Sequence, residues 1–125
     1  MKNAPTLQGW IRKFHLALGG IAWAVKGEYS FRVQLPMAVM ALLGAALFRF
    51  DPGRWALLVL TIGLVLTAEL FNTALEALAK AIDVRPNDHI RRALDISSGA
   101  VLCSSLFAAG VGVILFWRPL WNWMT

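Results

Sequence analysis

Charged side chains are scarce in this sequence. Lys, Arg, Asp and Glu make up 15% of its 125 residues, whereas they make up about 25% of a soluble globular domain. Hydrophobic residues reach 58% and the mean hydropathy is +0.62, while a soluble chain is about half apolar. The shortage of charge and the apolar excess argue against a water-soluble domain and indicate a protein embedded in lipid.

Three further features that the sequence lacks limit the possible covalent bonds, nucleotide-binding modes and domain organisation. Cys103 is the only cysteine, so no disulfide bond can form within the chain. No glycine-rich phosphate loop of the Walker type occurs, so a bound nucleotide has to be held by side chains and metal. No cleavable signal peptide or internal repeat is evident, and the length predicts a single domain over residues 1–125.

Long apolar runs alternate with short hydrophilic gaps. A helix needs about 20 apolar residues to cross a bilayer. On this basis we predict three membrane-spanning helices, at about residues 29–48, 55–79 and 93–117. Apolar side chains recur at steps of three and four over residues 7–26, which predicts an amphipathic helix lying on the membrane surface. The predicted fold is all-α, and we expect Arg118 and Pro119 to end the third span.

The basic residues predict how the chain crosses the membrane. Nine of the 12 Lys and Arg residues, Lys2 among them, precede the first span, lie in its first turn as Arg32 does, or lie in the predicted polar loop at residues 80–92. Basic residues accumulate on the cytoplasmic side, so we expect a multi-pass protein of the bacterial inner membrane with a cytoplasmic N-terminus. Because these residues occupy gaps between apolar runs, they do not indicate a nucleic-acid-binding face.

Two acids and an amide stand inside the second predicted span. Glu69, Asn72 and Glu76 are spaced i, i+3 and i+7, which places them on one face of a helix. Glu69 lies about 10 Å deeper than Glu76, at a rise of 1.5 Å per residue. Ionisable groups at such depth are costly and usually functional. We therefore predict that Glu69 takes a proton from a lipid hydroxyl.

Three carboxylates are predicted to meet at the cytoplasmic mouth of the helices. Glu28 opens the first span, Asp95 opens the third, and Glu76 lies at the same level on the second. Hard oxygen ligands around a water-accessible opening suit Mg²⁺ that carries the phosphates of a nucleotide. A blander interpretation remains for two of them: Glu28 can form an interfacial pair with Arg32, one turn on, and Glu76 can reach the headgroups.

The stretch at residues 69–76, ELFNTALE, resembles the signature of the prokaryotic diacylglycerol kinase family. These are small integral-membrane lipid kinases that include undecaprenol kinases. Residues 22–32 resemble the segment before the first span of that family, and residues 89–102 resemble the segment that opens its last span. The resemblance covers most of the chain, with order and spacing nearly preserved.

The resemblance implies an architecture and a reaction. The family is a homotrimer of three-span subunits with N-terminal surface helices, and its active sites are shared between subunits at the cytoplasmic interface. It transfers the γ-phosphoryl group of MgATP to a lipid hydroxyl. Matched by position, Glu69 resembles the catalytic base. Glu28 and Glu76 resemble the metal-binding carboxylates, and Asn72 and Asp95 resemble further polar residues of the active site.

Two positions depart from the pattern of the family. Lys80 stands where the family normally has aspartate, and Leu94 stands where it normally has a lysine that is expected to contact ATP phosphate. Cationic side chains stabilise the transition state of phosphoryl transfer. Arg91, Arg92 or Lys80 can substitute, and Arg92 is our candidate. Arg32 is a second candidate for binding the nucleotide. The departures also leave open a changed donor or acceptor, or a lipid-phosphate phosphotransferase or phosphatase.

Two other interpretations concern the helices themselves. A small proton-coupled transporter with Glu69 as its relay is an alternative function, although carboxylates gathered at one side do not line a route across a membrane. Small residues recur every four positions on the third span, at Ala100, Ser104, Ala108 and Gly112. Such spacing favours close helix packing, and an oligomer is expected because three thin helices cannot enclose a polar site. Ser97 and Ser98 are expected to bond back to carbonyls of their own helix.

Overall fold

The computed structural model describes residues 6–82, 85 and 87–125. In this part of the chain every regular element is an α-helix: α1 (Leu7–Gly27), α2 (Phe31–Leu47), α3 (Pro52–Ile82) and α4 (Asp88–Met124). The predicted all-α fold is therefore confirmed. Residues 83, 84 and 86 of the predicted polar loop, and Lys2 of the orientation argument, lie outside the described residues.

Two helices are long and apolar enough to cross a membrane by themselves, namely α3 with 31 residues and α4 with 37. Their outer surfaces carry large apolar side chains, such as Phe107 and Ile114, which are 74% and 78% exposed. Apolar side chains exposed in this number are stable where lipid or another protein chain covers them. The prediction of a membrane protein is confirmed by these helices.

The third crossing segment is less uniform. α2 has 17 residues, which is about 26 Å at 1.5 Å per residue and close to the roughly 30 Å hydrocarbon thickness. It meets α1 at an angle of 106° across a short break. By length and composition, two helices of the described chain could span a membrane, or three segments could do so if the bent pair of α1 and α2 counts as one span.

The segment between α3 and α4 is shorter than predicted. α3 continues to Ile82 and α4 begins at Asp88, so most of the predicted loop at residues 80–92 is helical. The side chain of Asn87 accepts hydrogen bonds from the backbone N–H groups of His89 at 2.9 Å and Ile90 at 3.2 Å. An N-cap of this kind satisfies N–H groups that lack a partner within the helix.

The helix α4 passes through Pro119 and continues to Met124, beyond Arg118 and Pro119, where the third span is predicted to end. Proline inside a helix removes one backbone donor and its ring crowds the carbonyl one turn before it, which weakens the helix at that point. The rings of Trp117 and Trp121 stack across the proline, with centroids 6.1 Å apart. This contact joins the turn that follows Pro119 to the turn that precedes it.

A tight turn joins α2 to α3. Arg49 adopts a left-handed conformation with φ of 54°. The Asp51 carboxylate then accepts a hydrogen bond from the Arg54 backbone N–H at 3.3 Å and forms an ion pair with its side chain. Pro52 is the first helical residue, where its missing N–H is not needed. These local signals reverse the chain and bring α3 back alongside α2.

The apolar core lies at this turn end of the bundle. Ala45, Phe50, Leu58 and Leu115 are buried together. The Phe50 ring lies 5.0 Å from that of Phe116 on α4, centroid to centroid. This cluster fastens α2 to α4 at one end, while α3 packs chiefly along α4. The polar residues discussed next lie at the opposite end.

Candidate functional site

Glu69 is enclosed within the protein on α3, with 1% of its surface exposed. Its Oε2 accepts a hydrogen bond from Nε2 of Gln34 on α2 at 3.2 Å. Its backbone carbonyl accepts a second bond from the Thr73 hydroxyl at 2.9 Å. A carboxylate removed from water is costly unless it is hydrogen-bonded, so the Gln34 amide is an important part of its environment. Such a carboxylate can serve as a proton acceptor.

Asn72 connects α3 to α4 and to a second carboxylate. Its Nδ2 donates to Oε1 of Glu76, one turn on, at 3.1 Å. Its Oδ1 accepts a hydrogen bond from the Ser97 hydroxyl of α4. Both Asn72 and Ser97 are buried, at 7% exposed each. The expectation that Ser97 bonds back to its own helix was therefore wrong, because Ser97 lies on the face of α4 that packs against α3.

Glu28 follows α1 and lies beside Glu76. Its backbone N–H donates to the Ala24 carbonyl at 2.9 Å, which closes α1 and holds the residue at the break before α2. Burial raises the pKa of Glu28 above its ordinary value. The negative charge of Glu76, a side-chain hydrogen bond with Glu76 and the charge of Glu69 raise it further, while the charge of Lys80 lowers it.

The proximity of the Glu28 and Glu76 carboxyl groups has a chemical consequence. Two like charges close together are unfavourable, which is one reason why the pKa of Glu28 is raised. A divalent cation between the two groups would offset that repulsion, because metal binding requires deprotonated ligands and releases their protons. The donors present are hard oxygens, and Mg²⁺ typically uses one or two carboxylates together with water and substrate phosphates. The donor set therefore fits Mg²⁺.

The predicted convergence of three carboxylates does not occur within one chain. Asp95 is exposed on α4, and the described residues contain no group of three or more His, Cys, Asp or Glu side chains arranged to hold a metal. The cause is the rotation of α4. Ser97 faces α3, and two residues turn a helix by about 200°, so Asp95 faces away from Glu28 and Glu76.

The two candidate arginines lie on the surface of the chain. Arg32 is exposed, and its guanidinium lies 5.9 Å from the ring centroid of Tyr29. It forms no ion pair with Glu28, so the predicted pairing is not present. Arg92 is exposed on α4, next to Arg91, which pairs with Asp88 at 3.3 Å. Both candidates leave their charge available to a bound anion.

Two polar contacts of the site were not foreseen from the sequence, those made by Gln34 and Ser97. For Gln34 a signal was available, since it is the only strongly polar side chain in an otherwise apolar α2 after Arg32. A buried amide in a spanning helix calls for a partner for the same reason as a buried acid does. For Ser97 there was none, because neighbouring Ser98 has the same chemistry and only the packing of α4 distinguishes them.

Comparison with known proteins places this arrangement in a family. Residues 15–116 match the family described as prokaryotic diacylglycerol kinase. The chain is also 31% identical, over 122 residues, to a protein of Synechocystis sp. that is named diacylglycerol kinase. That alignment covers 97% of this chain and 68% of the relative. This chain therefore belongs to the prokaryotic diacylglycerol kinase family.

Proposed function

We propose that the protein is a membrane lipid kinase that transfers the γ-phosphoryl group of MgATP to the hydroxyl of a lipid, either diacylglycerol or a polyprenol. One observation carries the proposal: an enclosed carboxylate, Glu69, lies on the same helix face as Glu76, and Glu28 lies close enough to both for their charges to raise its pKa. The first suits proton transfer, and the pair suits a metal with phosphates. The name of the Synechocystis relative supports the same reaction class.

Glu69 is the proposed base and the residue that orients the acceptor. A lipid hydroxyl is a weak nucleophile, and a nearby carboxylate accepts its proton as the bond to phosphorus forms. The burial of Glu69 keeps bulk water away from this position, which disfavours transfer of the phosphoryl group to water. The acids gather at one end of the bundle, an arrangement that suits an enzyme at the membrane surface better than a proton relay across it.

Glu28 and Glu76 are the proposed metal ligands. These two carboxylates would hold Mg²⁺, which would supply positive charge to offset the negative charge of the nucleotide phosphates. Asn72 holds the Glu76 carboxylate in place through its amide, and Ser97 holds the amide. Arg32 and Arg92 are the proposed phosphate contacts. In this proposal Arg92 makes the contact with ATP phosphate that the uncharged Leu94 side chain cannot make.

Asp95 belongs to the same site only if another copy of the chain contributes to it. It is exposed and faces away from α3 of its own chain. A homotrimer in which α4 of one subunit lies against α3 of the next would bring it to a neighbouring Glu28–Glu76 pair. We therefore include the homotrimer with shared sites in the proposal.

We further propose that α1 lies on the cytoplasmic face of a bacterial inner membrane. The 106° angle to α2 supports this placement, since a helix perpendicular to a span lies along the surface. Apolar side chains of α1, such as Trp10 and Phe14, are exposed on the protein and available to lipid. Lys13 lies 5.5 Å from the Trp10 ring centroid, an arrangement typical of interfacial residues.

The test is ATP consumption and phosphorylated-lipid formation by purified protein in mixed micelles, across diacylglycerol, undecaprenol and other lipid alcohols. Glu69→Gln is expected to abolish turnover while the protein still assembles; retained turnover would remove Glu69 from the mechanism. Phosphate release from a lipid phosphate without transfer from ATP would support a phosphatase instead. Proton flux into liposomes without a nucleotide would support a transporter.

A further inference from the structure

Glu69 has a single partner for its carboxylate among the described residues. Gln34 donates to it from α2, and no other side chain in the described part of the chain does so. An apolar groove of about 860 Å³ extends from this contact between α2, α3 and α4, with Met37, Ala41 and Val65 in its walls. Water binds weakly in an apolar groove because it finds few hydrogen-bond partners there. It therefore does not readily replace Gln34 as the hydrogen-bond donor to Glu69.

The two polar atoms of the Gln34 carboxamide are in different situations. Nε2 is bonded to Oε2 of Glu69 at 3.2 Å. Oε1 is buried and has no hydrogen-bond partner among the described residues. A buried carbonyl without a donor is destabilising and uncommon, and it calls for an explanation. Gln34 Oε1 is therefore an unused hydrogen-bond acceptor next to the Glu69 carboxylate.

The chemistry proposed for Glu69 requires both a donor and an acceptor beside it. As a carboxylate it only accepts hydrogen bonds, whereas after taking a proton it also donates one. A carboxamide carries a donor and an acceptor of similar size at the same distance from the chain. Half a turn about its terminal bond exchanges them without displacing any neighbour.

On the basis of the proposed kinase function, we propose that Gln34 is a positioning residue that partners Glu69 in both of its protonation states. Before transfer, Nε2 donates to the Glu69 carboxylate. During transfer the O–H bond of the lipid breaks, its electron pair forms the new bond to phosphorus, ADP leaves, and the proton joins Glu69. The carboxamide then turns over, and Oε1 accepts a hydrogen bond from protonated Glu69.

The first test is kinetic. Gln34→Met keeps the length of the side chain but has no N–H donor and no amide oxygen. The proposal expects kcat to fall about 10- to 100-fold, the value of one hydrogen bond to a charged group, with KM for MgATP unchanged. Unchanged kcat in this variant, or a loss expressed only in KM for MgATP, would overturn the proposal. Gln8→Met, on exposed α1, is the matched control and is expected to behave as wild type.

A second variant separates positioning from a structural role. Gln34→Glu offers a donor as well as an acceptor only while its own carboxyl is protonated. Its activity is therefore expected to approach that of the wild type at the acid end of the pH range and to be lost as the pH rises. Equal loss at every pH, as in Gln34→Met, would show that exchange of donor and acceptor is not the role of Gln34.

A third measurement does not depend on activity, so it separates this proposal from the proposed function. Gln8 and Gln34 are the only glutamines in the chain, and labelling glutamine with ¹³C at Cδ in the Gln8→Met background isolates the Gln34 signal. Its carbonyl resonance or infrared band is expected to shift on acidification as Oε1 gains a donor, and not to shift when Glu69→Ala is added. A signal that does not respond to pH would contradict the proposal even in an active kinase. If the wild type phosphorylates no lipid, the kinase function is refuted. The pH-dependent shift of the Gln34 signal, and its loss in Glu69→Ala, can still be measured in that case.

Discussion

The Ser97 hydroxyl on α4 donates a hydrogen bond to the Asn72 side-chain oxygen on α3, and this contact determines which way the Asn72 amide faces. With its oxygen engaged by Ser97, the amide directs its N–H donor to Glu76. The proposed metal-binding carboxylate is therefore positioned from a second helix, through the Asn72 side chain.

Ser97→Ala is expected to lower activity about 10-fold, since an unsatisfied buried acceptor costs about 1–3 kcal/mol. It should also raise the Mg²⁺ concentration for half-maximal activity, because Glu76 is no longer held. The measurement is a Mg²⁺ titration of lipid phosphorylation. Ser104→Ala is the control, because the Ser104 hydroxyl bonds only to the Val101 carbonyl of its own helix. An equal effect of both substitutions would show that the contact to Asn72 has no special role.

The pH dependence of Mg²⁺ binding follows from the environment of Glu28. Burial first, and then the charge and hydrogen bond of Glu76, raise the pKa of Glu28, so the group keeps its proton to a higher pH than an ordinary glutamate. Because the ligand must be deprotonated, the apparent affinity for Mg²⁺ is expected to rise as the pH increases through this raised pKa.

Lys80 provides the check on that explanation. Its positive charge lowers the pKa of Glu28, so Lys80→Ala should raise that pKa further and move the Mg²⁺ dependence to higher pH. Lys80→Arg retains the charge and should leave the profile in place. A shift to lower pH in Lys80→Ala would contradict the sign of this interaction.

A glycine lets the Phe116 ring of α4 lie against the backbone of α2 at the aromatic end. A Cβ on Gly44 would lie 3.0 Å from Cε1 of Phe116, whereas a Cβ on Gly110 would meet nothing within 4 Å. Gly44→Ala is expected to destabilise the protein by about 1–3 kcal/mol through overpacking. Gly110→Ala should be neutral, or stabilising by up to about 1 kcal/mol through its helix propensity. Thermal unfolding in detergent distinguishes the two, and equal melting temperatures would exclude the close contact.

The broad architecture was predictable because apolar length reports directly on membrane crossing. The helix ends were less so. Lys80, Arg92 and Pro119 mark where polarity returns or a donor is lost, and the sequence therefore predicts that the spans end next to them. The backbone remains helical beyond all three, because a spanning helix keeps its internal hydrogen bonds after it leaves the hydrocarbon region.

The candidate site was predictable along one helix and not between helices. The spacing of Glu69, Asn72 and Glu76 follows from helix geometry alone. The position of Asp95 depends instead on which face of α4 meets α3. α4 is apolar nearly all round, so no stripe in its sequence marks the buried face. The packing of α4 against α3 places Ser97 on the buried face and Asp95 on the exposed one.

The orientation of Asp95 leads to a prediction about the assembled protein. If Asp95 of one subunit completes the site of its neighbour, Asp95→Asn and Glu69→Gln inactivate different halves of the same site. Co-assembly of the two inactive variants then restores sites that have an intact half from each subunit. In a randomly mixed cyclic trimer about a quarter of the sites are intact, so about a quarter of wild-type activity is expected. Mixing Glu69→Gln with Glu76→Gln provides the control, because both residues lie on α3 and every site then lacks one of them. Activity that stays absent in the first mixture, with assembly verified by crosslinking, would place Asp95 outside a shared site.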